Sequence, residues 1–146
     1  MAAVKYPPKG SRGVSGFSRA NFYGRVGDYF AHADNEICLM LQVESVTAIK
    51  NIPEIAAIEG VDVIFIGPAD LAADMGFLGQ PRHPEVKKIM REAIRTIRSA
   101  GKVAATLAFV EEDAKAWVDE GAQLVAVTSD MSMLTGEANK IAKRFG

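Results

Sequence analysis

Glu59-Gly60-Val61-Asp62-Val63-Ile64-Phe65-Ile66-Gly67-Pro68-Ala69-Asp70 holds a helix ending, a strand and a turn in immediate succession. Gly60 suits the residue just past a helix C-terminus, where a left-handed backbone is needed. Val61 to Ile66 is a nearly continuous apolar run, as expected of a strand covered on both faces. Gly67-Pro68 then makes a tight turn, bringing backbone N–H groups and the Asp70 carboxylate over the end of that strand. The same unit recurs on either side. Residues 37–43, 103–108 and 124–128 are further apolar runs of strand length.

Helical patterns lie between these runs. Residues 84–100 place Val86, Ile89, Met90, Ala93, Ile94 and Ile97 on one stripe, with Lys and Arg opposite. Pro84 suits the first turn of that helix and His83 its cap. Glu111, Glu112 and Asp113 favour the positive end of a helix running to Glu120. Leu134, Ala138, Ile141 and Phe145 mark a last helix, and residues 45–59 read as helical with a kink or restart at Pro53. Gly101 and Gly121, like Gly60, separate a helix from the strand that follows. Four consecutive βα units imply a parallel α/β sheet with right-handed crossovers.

Residues 1–146 read as a single domain in which residues 1–35 precede the repeating part, residues 36–146. Two prolines and three glycines between residues 5 and 16 predict an ordered loop. A helix is expected over 18–33, carrying Phe22, Val26, Tyr29 and Phe30, although Gly24 and Gly27 weaken it.

Composition narrows the function. Of 146 residues, 49% are hydrophobic and 24% charged, the profile of a globular protein. Seventeen Lys and Arg against eighteen Asp and Glu give a net charge of −1, which argues against a nucleic-acid partner. The apolar runs are too short to span a membrane. No signal peptide is read at the N-terminus, and one cysteine, Cys38, fits a reducing cytoplasm. Cys38 is expected mid-strand as a small buried hydrophobe.

In parallel α/β folds ligands sit at the carboxyl ends of strands. The first strand ends Gln42-Val43-Glu44, and a period of two points Gln42 and Glu44 the same way. Glu44 and Asp70 come from adjacent βα units, so their carboxylates can converge into a hard-oxygen site for Mg²⁺ or Mn²⁺. On residue types alone the competing reading is that Glu44 caps the helix after it and Asp70 caps a turn. Asp74 reads as an exposed loop acid, Trp117 as packing, and Asp130 as a helix cap. No P-loop, GxGxxG, GxSxG or paired-cysteine motif is present.

Leu41-Gln42-Val43-Glu44-Ser45 followed by Glu59-Gly60-Val61-Asp62-Val63-Ile64-Phe65-Ile66-Gly67-Pro68-Ala69-Asp70-Leu71 resembles the metal-binding core of the HpcH/HpaI aldolase/citrate lyase family. Tyr6-Pro7-Pro8-Lys9-Gly10, Arg12-Gly13-Val14 and Arg19-Ala20-Asn21 are similar to the family's preceding loop. Gly76-Phe77-Leu78-Gly79 and His83-Pro84-Glu85-Val86 continue the likeness. The nearest branch is that of class II pyruvate aldolases acting on 2-keto-3-deoxy sugar acids. The resemblance implies a (β/α)8 TIM barrel with a divalent metal, Mg²⁺, Mn²⁺ or Co²⁺, held at Glu44 and Asp70. It also implies that Gln42 lines the substrate pocket, and that Ala69 and Asp70 offer backbone N–H groups to the pyruvate carboxylate. Arg12 matches a loop position near the substrate, while the residue alone reads equally well as a solvated cation.

The implied reaction is cleavage of a 2-keto-3-deoxy acid to pyruvate and an aldehyde. A barrel of this type takes about 250 residues, so this chain supplies four of eight βα units, and the resemblance implies that they are the last four. The family's catalytic base and its enolate-stabilising arginine match nothing here. Neither His32, read as a surface residue, nor His83 replaces them. The implied partners are small molecules together with a homo-oligomer or a missing N-terminal half. The alternative is a catalytically incomplete α/β module, such as a split-gene half that only binds metal or pyruvate, or a flavodoxin-like binding domain.

Overall fold

The structure is a computed structural model that describes residues 1–145. It forms two compact units, residues 1–39 and the chain from Met40 onward.

In the first unit, short 3-10 turns at Ala2–Val4 and Arg19–Asn21 precede one helix, α1 (Tyr29–Glu36). The helix expected from residue 18 does not form there, and Asn21 supplies the reason. Its buried amide oxygen accepts from Ser18 N–H (3.0 Å) and Gly24 N–H (3.1 Å), and its Nδ2 donates to the Gly16 carbonyl (2.9 Å). These local bonds compete with a helical ladder. Phe22, Tyr23 and Gly24 then take left-handed backbone angles, which no α-helix tolerates. His32 is exposed, with Nε2 3.3 Å from Asp28 Oδ2, in keeping with its surface reading.

The second unit follows the βα rhythm. Its order is β1 (Met40–Val43), α2 (Val46–Lys50), α3 (Ile52–Ala57), β2 (Val63–Ile66), α4 (Pro68–Asp74), α5 (Pro84–Ser99), β3 (Val103–Leu107), α6 (Glu111–Asp119), β4 (Leu124–Ala126) and α7 (Asp130–Phe145). Each strand is shorter than its apolar run. Cys38 therefore lies outside β1 and is exposed, contrary to its expected burial. Helix α4 replaces the simple turn expected after Gly67; Pro68 occupies its first position, where a missing N–H costs nothing.

Helix ends behave as their sequences suggest. Ser45 Oγ accepts from Ala48 N–H (3.1 Å) to cap α2, and His83 Nδ1 accepts from Glu85 N–H (3.3 Å) to cap α5. At the far end of α5, Lys102 N–H bonds the Ile97 carbonyl and Gly101 N–H that of Arg98; Gly101 has φ +74°. Ala122 and Gly121 repeat the pattern on Trp117 and Val118, again with a left-handed glycine. At the start of α7, Ser129 Oγ accepts from Ser132 N–H (3.1 Å), so Ser129 takes the capping role expected of Asp130.

All four strands are parallel and lie in sequence order, β1-β2-β3-β4. Strand order decides between the architectures that the sequence left open. A flavodoxin-like sheet reverses direction at a switch point, whereas sequential order with crossovers of one hand keeps every helix on one face. Register separates the two faces, which differ most at the sheet edges, since Val63 and Ala105 at the centre of the open face are buried too. Val43, Ile66 and Thr106 align, as do Ile64 and Ala104, and all five are buried on the helix side. On the other face Met40 (42% exposed) and Gln42 on β1, and Leu124 (43%) and Ala126 on β4, remain open. This is one wall of a barrel. Its core is the seam between the sheet and the buried stripe of α5: Val86, Met90, Ala93, Ile94 and Ile97. Among the described residues, no helix is long and apolar enough to cross a membrane.

Asp113, in the first turn of α6, is a buried carboxylate. Burial alone raises its pKa, but hydrogen bonds from Lys87 and Arg82, reinforced by their charges, outweigh this and hold the carboxyl below its usual range. A depressed folded-state pKa means that the stabilisation is present above the unfolded carboxylate value, near 3.9, and is lost as pH falls through the folded value. Thermal midpoints measured from pH 6 down to pH 3 should therefore fall, and Asp113→Asn should flatten that fall while lowering the midpoint at pH 6.

Candidate metal and substrate site

Gln42 is the third residue of β1, and Glu44 follows immediately after the strand. Their side chains meet: Gln42 Nε2 donates to Glu44 Oε2 at 2.5 Å. The amide donation holds the Glu44 carboxylate in one orientation. Glu44 does not cap α2, since Ser45 does that and Asp74 Oδ2 accepts the Val46 N–H at 2.8 Å. Asp74 is thus exposed, as expected, yet employed in tying the end of α4 to the start of α2.

Gly67 explains why the pair fits. A β-carbon at this position would lie 2.9 Å from Gln42 Nε2, 2.9 Å from Glu44 Oε2 and 3.0 Å from Glu44 Cβ. Any side chain there would displace both residues, so the absence of one creates the cradle in which they lie. Gly67 N–H also donates to the Val43 carbonyl (3.0 Å), which locks the two strand ends together. The preceding carbonyl, Ile66 O, accepts from the fully buried Thr106 Oγ1 at 3.0 Å.

Asp70 sits in the first turn of α4, three residues beyond Gly67. It is exposed and carries no hydrogen bond or ion pair to another described residue. The helical ladder of α4 begins with Leu71 N–H on Gly67 O, so the N–H groups of Ala69 and Asp70 precede it and are free for another acceptor.

These donors suit a hard divalent cation. One carboxylate lies in a glycine-floored cradle, a second unengaged carboxylate is one turn away, and no sulfur or imidazole joins them. Among the described residues no group of three or more His, Cys, Asp or Glu converges, so any cation here relies on water or substrate oxygens for its remaining ligands.

Arg12 belongs to the first unit and is no solvated cation. Its guanidinium lies 4.6 Å over the Tyr6 ring, Nη2 donates to Tyr29 Oη at 3.3 Å, and the buried Nη1 has no partner among the described residues. Tyr6 also meets Phe30 edge-on at 5.2 Å. His83 stacks on Phe77 at 3.7 Å and uses Nδ1 as a cap.

A family model described as HpcH/HpaI aldolase/citrate lyase matches residues 1–136. The chain belongs to that family. Within it, the chain is 46% identical over 147 residues to a 4-hydroxy-2-oxo-heptane-1,7-dioate aldolase of Escherichia coli, an alignment covering 100% of this chain and 56% of the relative. It is likewise 46% identical to the hydroxypyruvate/pyruvate aldolase of Pseudomonas aeruginosa, covering 99% of this chain and 54% of that protein. A solved family member from Burkholderia cenocepacia superposes with a TM-score of 0.85 at 34% identity, covering 97% of this chain and 57% of the other. The chain therefore spans about half the length of the relatives it matches. Its one-sided parallel sheet corresponds to part of the TIM barrel of this family, as the strand motifs implied.

Gly67 as the floor of the cradle, Thr106 beneath it and the buried Asp113 were not singled out by the sequence reading. Asp113 had a legible signal: it shares a helical stripe with Ala114 and Trp117, and all three are buried.

Proposed function

We propose that this chain carries the metal and pyruvate half of a class II aldolase that cleaves a 4-hydroxy-2-keto acid to pyruvate and an aldehyde. The observation supporting this most directly is the Gln42–Glu44 pair laid over Gly67, with Asp70 in the next helical turn. Glu44 and Asp70 would hold Mg²⁺ or Mn²⁺, with Co²⁺ as a further candidate. Such an ion supplies Lewis-acid polarisation of the keto oxygen.

The chain's own residues bind and orient. Gln42 fixes the Glu44 carboxylate and borders the place where substrate oxygens arrive. The N–H groups of Ala69 and Asp70 would face the pyruvate carboxylate. The relative named for a hydroxy-oxo-heptanedioate shares the 4-hydroxy-2-keto skeleton with the 2-keto-3-deoxy sugar acids that the motifs first suggested. Bond cleavage between C3 and C4 requires removal of the 4-hydroxyl proton. Neither histidine is available at this site for that step, so the base comes from outside these residues. A second reading keeps only binding: the two open sheet edges and half-length coverage fit a module that holds metal and pyruvate without turnover.

Gln42→Ala separates binding roles. A neutral amide adds little attraction for a cation, so Mn²⁺ affinity should change less than about threefold, whereas pyruvate or oxamate affinity should drop by roughly tenfold, about 1.4 kcal/mol. Isothermal titration with Mn²⁺ alone and then with oxamate measures both. Loss of Mn²⁺ with oxamate binding retained would make Gln42 a direct metal ligand.

A further inference from the structure

Glu44 lies just past the end of β1, so its backbone stands outside the strand. Two hydrogen bonds hold the chain on either side of it. Before it, Gly67 N–H donates to the Val43 carbonyl (3.0 Å); after it, Val46 N–H donates to Asp74 Oδ2 (2.8 Å). Both partners belong to residues 67–74, the segment that also carries Asp70. The two proposed ligands thus sit on segments that are clamped together at both ends.

The two ends of this clamp differ in kind. Gly67 follows β2 directly, so its bond continues the pairing of β1 with β2. Asp74 is the last residue of α4, where a carboxylate meets the negative end of the helix dipole. It also stands four residues from Asp70, a like charge on the same face of the helix. Nothing within α4 favours an acid there. Its bond goes instead to the N–H at the first position of α2, the positive end of another helix. Pro68, Leu71 and Ala72 are buried and fix α4 to the core, so α4 is the firm side of the clamp. The Glu44–Ser45 junction is the side that is held.

We infer that Asp74 is a positioning residue for the metal site: by accepting the Val46 N–H it fixes the backbone of Glu44 relative to Asp70. The inference rests on the metal reading of Glu44 and Asp70, and it assigns Asp74 no contact with the ion. What acts is the acceptor oxygen of Asp74, not its negative charge.

Mn²⁺ affinity and the Mn²⁺ electron paramagnetic resonance line shape are the readouts, with circular dichroism confirming the fold. Asp74→Ala should weaken Mn²⁺ binding by roughly three- to tenfold and alter the line shape, as loss of a group that orients a ligand does. Asp74→Asn keeps an oxygen acceptor and should stay within about twofold of the parent. An equal loss in both variants would overturn the inference, because charge and not the hydrogen bond would then matter. Val46→Pro removes the donor instead. Proline is tolerated at the first helical position, and Ser45 before it is already extended (φ −137°, ψ 158°), so α2 is kept. This variant should bind Mn²⁺ as weakly as Asp74→Ala, and combining the two should add nothing. Parental affinity in folded Val46→Pro, or a further loss in the combination, means that the shared bond is not what positions Glu44. Ser129→Ala uncaps α7, which follows the strand at the opposite edge of the sheet, and controls for lost stability alone. It should bind Mn²⁺ as the parent does; a matching loss there would reduce the role of Asp74 to general stability. Glu44→Ala in the same series keeps the two ideas apart. Should Glu44→Ala bind Mn²⁺ as well as the parent, the metal reading falls and takes this inference with it. Should Glu44→Ala lose binding while Asp74→Ala and Val46→Pro keep it, only the positioning role falls.

Discussion

Mn²⁺ or Mg²⁺ affinity is expected to fall at least tenfold, about 1.4 kcal/mol, when either Glu44 or Asp70 is replaced by Ala. Each substitution removes one of two negatively charged oxygen donors, and the neutral ligands left behind attract a divalent ion far less strongly. The two variants differ in their side effects. Glu44 is half-buried and accepts the Gln42 amide, so Glu44→Ala also leaves that amide without its acceptor and frees it to rotate. Asp70 is exposed and its side chain is unengaged, so Asp70→Ala should disturb nothing else and should leave the unfolding free energy within about 0.5 kcal/mol of the parent, as for an ordinary surface change. Isothermal titration beside circular dichroism tests both residues. Unchanged affinity in a folded variant would remove that residue from the site.

The fold was legible where one signal dominated. The stripe of α5, with Pro84 inside its start and Gly101 past its end, specified that helix to within a residue of its observed limits. The strand centres were equally plain, because residues buried between helices and a barrel interior must be apolar on both faces. Errors arose where a local side chain overrode periodicity. Asn21 diverted the backbone of residues 18–24 into turns although the apolar spacing was helical. Cys38 lay in an apolar run that outlasts the hydrogen-bonded strand, since β1 starts only at Met40.

The site was legible in part. Period-two alternation placed Gln42 and Glu44 together, and the structure joins them directly. That alternation could not reveal that Gly67 provides the space they occupy, because the collision is between segments more than twenty residues apart. Nor could it reveal the burial of Asp113, which reads with Glu111 and Glu112 as one of three acids favouring the positive end of a helix.

The largest effect is expected from the open sheet. β1 and β4 each pair on one side only, leaving two rows of backbone donors and acceptors available to another strand. The inward face is least covered at those same edges, at Met40 and Gln42 on one and Leu124 and Ala126 on the other. Exposed apolar area there forfeits roughly 25 cal/mol for every Å². Four parallel strands are half of what an eight-stranded barrel requires, and the portion of the relatives that this chain does not cover, a little under half, has the size of four more βα units. Light scattering on the purified chain should therefore show self-association or incomplete folding, and a retro-aldol assay with a 4-hydroxy-2-keto acid and Mn²⁺ should show no turnover. Co-expression with the uncovered N-terminal part of the Escherichia coli aldolase should give a one-to-one complex and restore activity. Met40→Lys with Leu124→Lys places charges on the inward face and should abolish that complex, while a lysine at the exposed Glu111 should not. A monodisperse monomer that cleaves the substrate alone would refute this account, because a base would then have to reside among these residues.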